Sequence, residues 1–222
     1  MIAVLKDTSI EWIIQQMHKE ASKHNPPVFS AEKIKDPFKI LVFTFLSART
    51  KDETTIKVVN RLFSVAGSPE KIAKLPLQKI EKLLYGIGFY HVKSRNLLAI
   101  SKTVAKHGVP DTFEELTELP GVGRKTANIV LARAFGKNTL GVDVHVHRIS
   151  NRIGMVKTKK PEQTEVALLA YVPKKLIRKL NRNFVAFGQT VCLPRNPKCT
   201  DCPLNQVCRR INVTTRCENC KY

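Results

Sequence analysis

The sequence predicts an all-α protein, and three observations carry that prediction. Apolar residues recur at helical spacing in one segment after another. The segments open at residues that cap a helix or tolerate a lost N–H, and several close near glycine. No stretch alternates apolar and polar residues long enough to make a convincing strand.

Taken in order, the first helix carries Ile10, Ile13, Ile14 and Met17 behind Thr8 and Ser9, whose hydroxyls suit an N-cap. Asp36 and Pro37 open the next, with Phe38, Leu41, Val42, Phe45 and Leu46 on its apolar side; proline loses nothing at a first helical position. Thr50 and Glu53 have capping-box spacing ahead of Ile56, Val59, Leu62 and Phe63, and Gly67 stops that helix. Ser68-Pro69 starts a short helix, Leu77, Ile80, Leu83 and Leu84 make another, and Leu97 to Val104 adds one more. Thr112 and Glu115 form a second capping box before Phe113, Leu116 and Leu119. Pro120-Gly121-Val122-Gly123 interrupts the chain, and a helix resumes with Ala127, Val130, Leu131, Ala134 and Phe135 on one face until Gly136. A further helix begins at Val144 behind Asp143.

At 222 residues the chain holds one large domain or two small interlocked ones. The candidate boundaries are compact, at Gly136-Lys137-Asn138 and near Asn25-Pro26-Pro27. Lysine and arginine number 38 against 18 acidic residues, a net charge of +20 that makes a polyanion the leading partner. A solubility surplus or an anionic membrane face is the alternative reading of charge alone. The longest nearly apolar run, Ile40 to Leu46, is far too short to span a bilayer. Lys6 and Asp7 break the N-terminal apolar residues at once, so a signal-peptide core is missing and an intracellular protein without membrane attachment is expected.

The segment Leu119 to Lys125 reads as two helices joined by a Gly-x-Gly turn. Gly121 and Gly123 let the backbone turn sharply and approach a phosphate, with Val122 between them, while the N–H groups of the following helix form an anion site. Such a hairpin grips backbone phosphate and reads no sequence; a generic tight helical turn is its alternative. Arg124 and Lys125 lie in the first turn of that helix, at the positive end of its dipole, where cations are disfavoured. A phosphate nearby explains Arg124, and the same field favours the neutral, nucleophilic form of Lys125. The other reading makes Lys125 a second phosphate contact. Asp143, in Val142-Asp143-Val144-His145, reads first as an N-cap, a role that can coexist with that of a fixed carboxylate beside a developing positive charge. His145 and His147 read as structural.

All six cysteines lie between Cys192 and Cys220, a cluster that points to metal rather than to a disulfide framework. Cys192, Cys199, Cys202 and Cys208 give C-x6-C-x2-C-x5-C, while Cys199 and Cys202 with Cys217 and Cys220 give a rival four-cysteine spacing. Spacing alone leaves zinc and iron–sulfur level. Arg195 and Lys198 lie between the first two cysteines, where a rigid metal site would present them to a phosphate backbone well away from the hairpin.

Leu119 to Asn128, the Val142-to-His145 motif and the C-x6-C-x2-C-x5-C spacing together resemble the endonuclease III family of helix-hairpin-helix DNA glycosylases, from roughly Asp36 to Cys208. The resemblance implies a bifunctional DNA glycosylase and AP lyase that removes oxidised pyrimidines from duplex DNA in base excision repair. It implies a [4Fe-4S] cluster on Cys192, Cys199, Cys202 and Cys208, with Lys125 as the Schiff-base lysine and Asp143 as the catalytic aspartate. Two helical lobes flanking a DNA-binding cleft are expected: a six-helix barrel with the hairpin over 29–137, and a cluster lobe built from 1–28 and 138–222. The expected partner is double-stranded DNA with a damaged base or an abasic site, met by a monomer. Phe89 falls in a loop where the family often has an apolar wedge, its alternative being an aromatic packed inward. Arg49 stands where the resemblance suggests a glutamine filling the space of the flipped base, and Cys217-x2-Cys220 is an addition. Two rivals are a monofunctional mismatch glycosylase, which lacks the nucleophilic lysine, and a non-catalytic DNA-binding module with a structural metal.

Overall fold

The computed structural model describes residues 9–213, so Thr8, Cys217 and Cys220 lie outside the described residues. Among the described residues every regular element is a helix. In chain order these are α1 (Ile10–Ser22), α2 (Pro27–Ala31), α3 (Pro37–Ser47), α4 (Asp52–Val65), α5 (Pro69–Ala73), α6 (Leu77–Leu84), α7 (Tyr90–His107), α8 (Phe113–Glu118), α9 (Arg124–Ala134), α10 (Val144–Ile153), α11 (Pro161–Leu169) and α12 (Lys174–Thr190). No helix among the described residues is long and apolar enough to cross a membrane.

Most starts follow from their caps. The Ser9 hydroxyl accepts the Trp12 N–H at 3.1 Å, and Asp36 accepts that of Lys39 at 2.8 Å with Pro37 behind it. Ser68 and Thr112 cap α5 and α8 in the same way. Thr50 does not. Lys51 occupies the cap position of α4 without a side-chain bond, and the Thr50 hydroxyl instead accepts the N–H of Gly88 at 3.1 Å. A left-handed residue at Arg49 (φ 55°) turns the chain just before Thr50, and the hydroxyl faces a neighbouring turn rather than its own helix. α7 extends well beyond Leu97 to Val104 in both directions, because its first turns carry polar residues that hide the period. α11 and α12 lie past the elements read individually from spacing, although α12 places Leu176, Ile177, Leu180, Phe184 and Phe187 at helical intervals.

The chain divides into two compact units, Ser30–Thr139 on one hand and Met1–Phe29 with Leu140–Tyr222 on the other. The first is organised on α3. From Phe38 to Leu46 every residue except Lys39 is buried, so α3 is apolar all round, as a helix surrounded by others must be. It packs on α4, α7 and α9. Truncating fully buried Leu41 to alanine should cost about 2–5 kcal/mol. In the second unit Ile13, Ile14 and Met17 of α1 join the core of α12 residues such as Leu180 and Phe184, and α10 packs on α12. Gly188 permits that last approach, since a β-carbon there would lie 2.5 Å from Nδ1 of His145.

Candidate functional site

The hairpin is built by α8, the turn and α9. The Val122 N–H donates to the Leu119 carbonyl at 3.0 Å, and the Val122 side chain is buried. Val122 therefore anchors the turn from inside, and only its neighbours can face a ligand directly. Gly121 has φ 78°, and a β-carbon on it would meet the Asn96 amide at 2.6 Å and the Phe45 ring at 3.0 Å. Gly123 differs: it is the N-cap of α9 in extended conformation, with nothing within 4 Å of where a side chain would start. No side chain caps α9 and no acid lies in its first turn. Arg124 and Lys125 occupy that turn, both exposed, with the Arg124 guanidinium 5.3 Å from the centroid of the Phe113 ring. An open helix N-terminus with two cations and no acid in its first turn is suited to an anion.

Asp143 begins α10. Its Oδ1 accepts the N–H groups of His145 and Val146, both at 2.9 Å, so the carboxylate is held by backbone geometry. Lys125 belongs to the Ser30–Thr139 unit and Asp143 to the other. The two histidines serve the fold: Nδ1 of His147 bonds to the Thr164 hydroxyl at 2.6 Å, and His145 packs on Gly188 beside Arg148. Arg148 also donates to the carbonyls of Gly188 and Cys192.

Within the first unit, Arg49 and Phe89 come together. Phe89 is 62 % exposed rather than packed inward, and the Arg49 guanidinium sits 5.5 Å from the centroid of its ring. Both residues have left-handed backbone, φ 55° and 59°, which is uncommon for side chains of this size. Beside them lies a residue that spacing did not single out. Lys93 is buried, and the loss of water lowers its pKa to about 8. Its signal is its register: it precedes the apolar positions Leu97, Ile100 and Val104 on the same face of α7.

Cys192, Cys199, Cys202 and Cys208 all line one cavity, among Ile149, Ile153, Phe187, Val191 and Leu204. Among the described residues no three His, Cys, Asp or Glu side chains form a group that could hold a single metal ion. Burial pushes the Cys202 thiol up to about 12 and raises Cys199 and Cys208 as well, so a bound metal must displace their protons. Donors face the sulfurs: the buried Arg152 guanidinium reaches Cys192 Sγ at 3.5 Å, and the Arg210 backbone N–H donates to Cys208 Sγ at 3.4 Å. That donor set fits a thiolate-held group. Arg195 and Lys198 are exposed on the loop between the first two cysteines.

The HhH-GPD superfamily base excision DNA repair protein family matches residues 42–174. Endonuclease III of Thermotoga maritima is 45% identical over 199 residues, covering 88% of this chain and 92% of that protein. The chain belongs to the endonuclease III family. A solved structure of a trapped endonuclease III–DNA covalent intermediate, an estranged-adenine complex, superposes with TM-score 0.80 at 32% identity, covering 90% of this chain and 94% of that one. A thermostable thymine-DNA glycosylase is also similar, with TM-score 0.75 at 26% identity, covering 89% and 94%. The HhH-GPD match spans α9, which carries Lys125, and α10 with its N-cap Asp143.

Proposed function

We propose that this chain is a bifunctional DNA glycosylase and AP lyase that removes oxidised pyrimidines from duplex DNA. The observation that carries the reading is Lys125, exposed in the first turn of α9 directly behind a turn suited to phosphate. The endonuclease III of the related structure forms a covalent intermediate with DNA, and a lysine amine is the group that can do so here.

The damaged nucleotide leaves the stack, at a cost of a few kcal/mol that damage itself reduces. Gly121, Gly123 and Arg124 hold the phosphate backbone, and Phe89 and Arg49 meet the duplex where the nucleotide has left. Lys125 attacks C1′ as a free amine, the glycosidic bond breaks, and the base departs with the bonding electrons. The nitrogen then gives up a proton and its lone pair expels O4′ from C1′, opening the sugar ring as O4′ takes a proton. The resulting protonated imine acidifies the C2′ proton. Its loss drives β-elimination, which breaks the bond from C3′ to its oxygen and cuts the strand 3′ to the lesion. Water then hydrolyses the imine and frees Lys125. Asp143, fixed by its two backbone bonds, assists the lysine and stabilises positive charge on the sugar.

Cys192, Cys199, Cys202 and Cys208 would hold a [4Fe-4S] cluster, which supplies a structural joint for their loop when bound. Arg195 and Lys198 on that loop then meet backbone phosphate. Iron and sulfide in the purified protein support this part, and colourless protein with stoichiometric zinc replaces it with the zinc reading.

Borohydride trapping on duplex DNA with an abasic site tests the central claim. Wild type should give a covalent adduct. Lys125→Ala should give none while still binding DNA, and Asp143→Asn should slow adduct formation more than it weakens binding. No adduct from wild type, or an undiminished one from Lys125→Ala, overturns the reading.

A further inference from the structure

The loop carrying Arg49 and the turn carrying Phe89 are joined by a buried lysine that no step above uses. Nζ of Lys93 donates to the carbonyl of Leu46 at 2.8 Å and that of Ala48 at 2.5 Å, and lies 3.5 Å from the Thr50 hydroxyl. These acceptors lie at the C-terminal end of α3 and in the loop beyond it. A helix leaves carbonyls unsatisfied there, and its dipole favours a cation. Three acceptors stand against the three protons of one ammonium group. The Thr50 hydroxyl also accepts the Gly88 N–H at 3.1 Å, so one oxygen ties the loop to the residue before Phe89. Loop and turn touch backbone to backbone, since a β-carbon on Gly88 would lie 2.8 Å from the Arg49 carbonyl oxygen. On its other side the turn is pinned by Arg61 of α4, which donates to the carbonyls of Leu83 and Tyr85. Arg49 and Phe89 both project from this framework.

We propose that Lys93 is a positioning residue that locks the Arg49 loop to the Phe89 turn, so that the two side chains meet DNA as one preformed unit. The inference rests on the reading of Arg49 and Phe89 as DNA contacts. Holding both backbones in the left-handed region before DNA arrives removes the ordering cost from the binding step. Gly88 is required by the same device, because any larger residue separates loop from turn.

A double-mutant cycle tests it, using the full chain and a duplex with a tetrahydrofuran abasic analogue that cannot react. Lys93→Met should weaken binding about tenfold. Arg49→Ala with Phe89→Ala should weaken it at least as much. Added to that pair, Lys93→Met should cost less than about twofold, because nothing remains for it to position. A general loss of fold would instead carry over undiminished, and that result overturns the proposal, as does wild-type binding by folded Lys93→Met. Wild-type binding by the Arg49→Ala, Phe89→Ala pair removes the underlying reading and the proposal together, and is recognised by that variant alone. Should Lys93→Met fail to fold, Thr50→Val removes the shared hydroxyl and is judged by the same cycle.

Discussion

At neutral pH the Lys93 ammonium stays charged against the end of α3, and that has a consequence for stability. Burial holds its pKa at about 8, against 10.5 for an exposed lysine. Below about pH 8 both folded and unfolded chains keep the proton, and the cost of burying charge is present in full. Between about 8 and 10.5 the unfolded chain binds more protons than the folded one, so the Lys93 contribution to unfolding free energy rises with pH. Urea unfolding should therefore show wild type gaining stability relative to Lys93→Met from pH 8 to pH 10, whereas a constant difference would mean that the group does not titrate there. Lys125 and Asp143 could be singled out as candidates in the sequence because each sits inside a short contiguous motif. Lys93 could not, because its partners are backbone carbonyls more than forty residues away, which no side-chain pattern encodes. The left-handed backbones of Arg49 and Phe89 were equally hidden, since neither residue type favours that region.

Among the elements, the turn between α8 and α9 separates two uses of glycine. Gly121 lies in the left-handed region with Asn96 and Phe45 against it, so Gly121→Ala should lower stability by more than about 1 kcal/mol. Gly123 is extended with open space beside it, so Gly123→Ala should leave the melting temperature nearly unchanged. It should nonetheless weaken binding of duplex DNA several-fold, because the added methyl occupies the approach to the α9 N-terminus. Thermal melts and binding isotherms on the two variants check this; equal effects on both measurements would refute the division of roles. The helices themselves were readable wherever caps and apolar period agreed, as at Ser9, Asp36 and Thr112. Thr50 was misread because capping-box spacing describes a local contact, and its hydroxyl is claimed by Gly88, 38 residues further on.

For the whole molecule the net charge of +20 dominates encounter with DNA. Binding of undamaged duplex should weaken steeply as salt rises, in proportion to the phosphates neutralised, and a flat response would contradict a backbone-gripping protein. The all-helical class follows directly from the sequence period, while the assembly of one unit from both ends of the chain does not, because periodicity says nothing about which helix meets which. That assembly bears on synthesis. The apolar stripe of α1, with Ile13, Ile14 and Met17, packs on α12, whose first residue is Lys174. The ribosome releases α1 first, and its partner helix only after the Ser30–Thr139 unit has emerged. The greasy side of α1 must wait until α12 has been made, so a nascent chain stalled before residue 174 should be the form that chaperones hold.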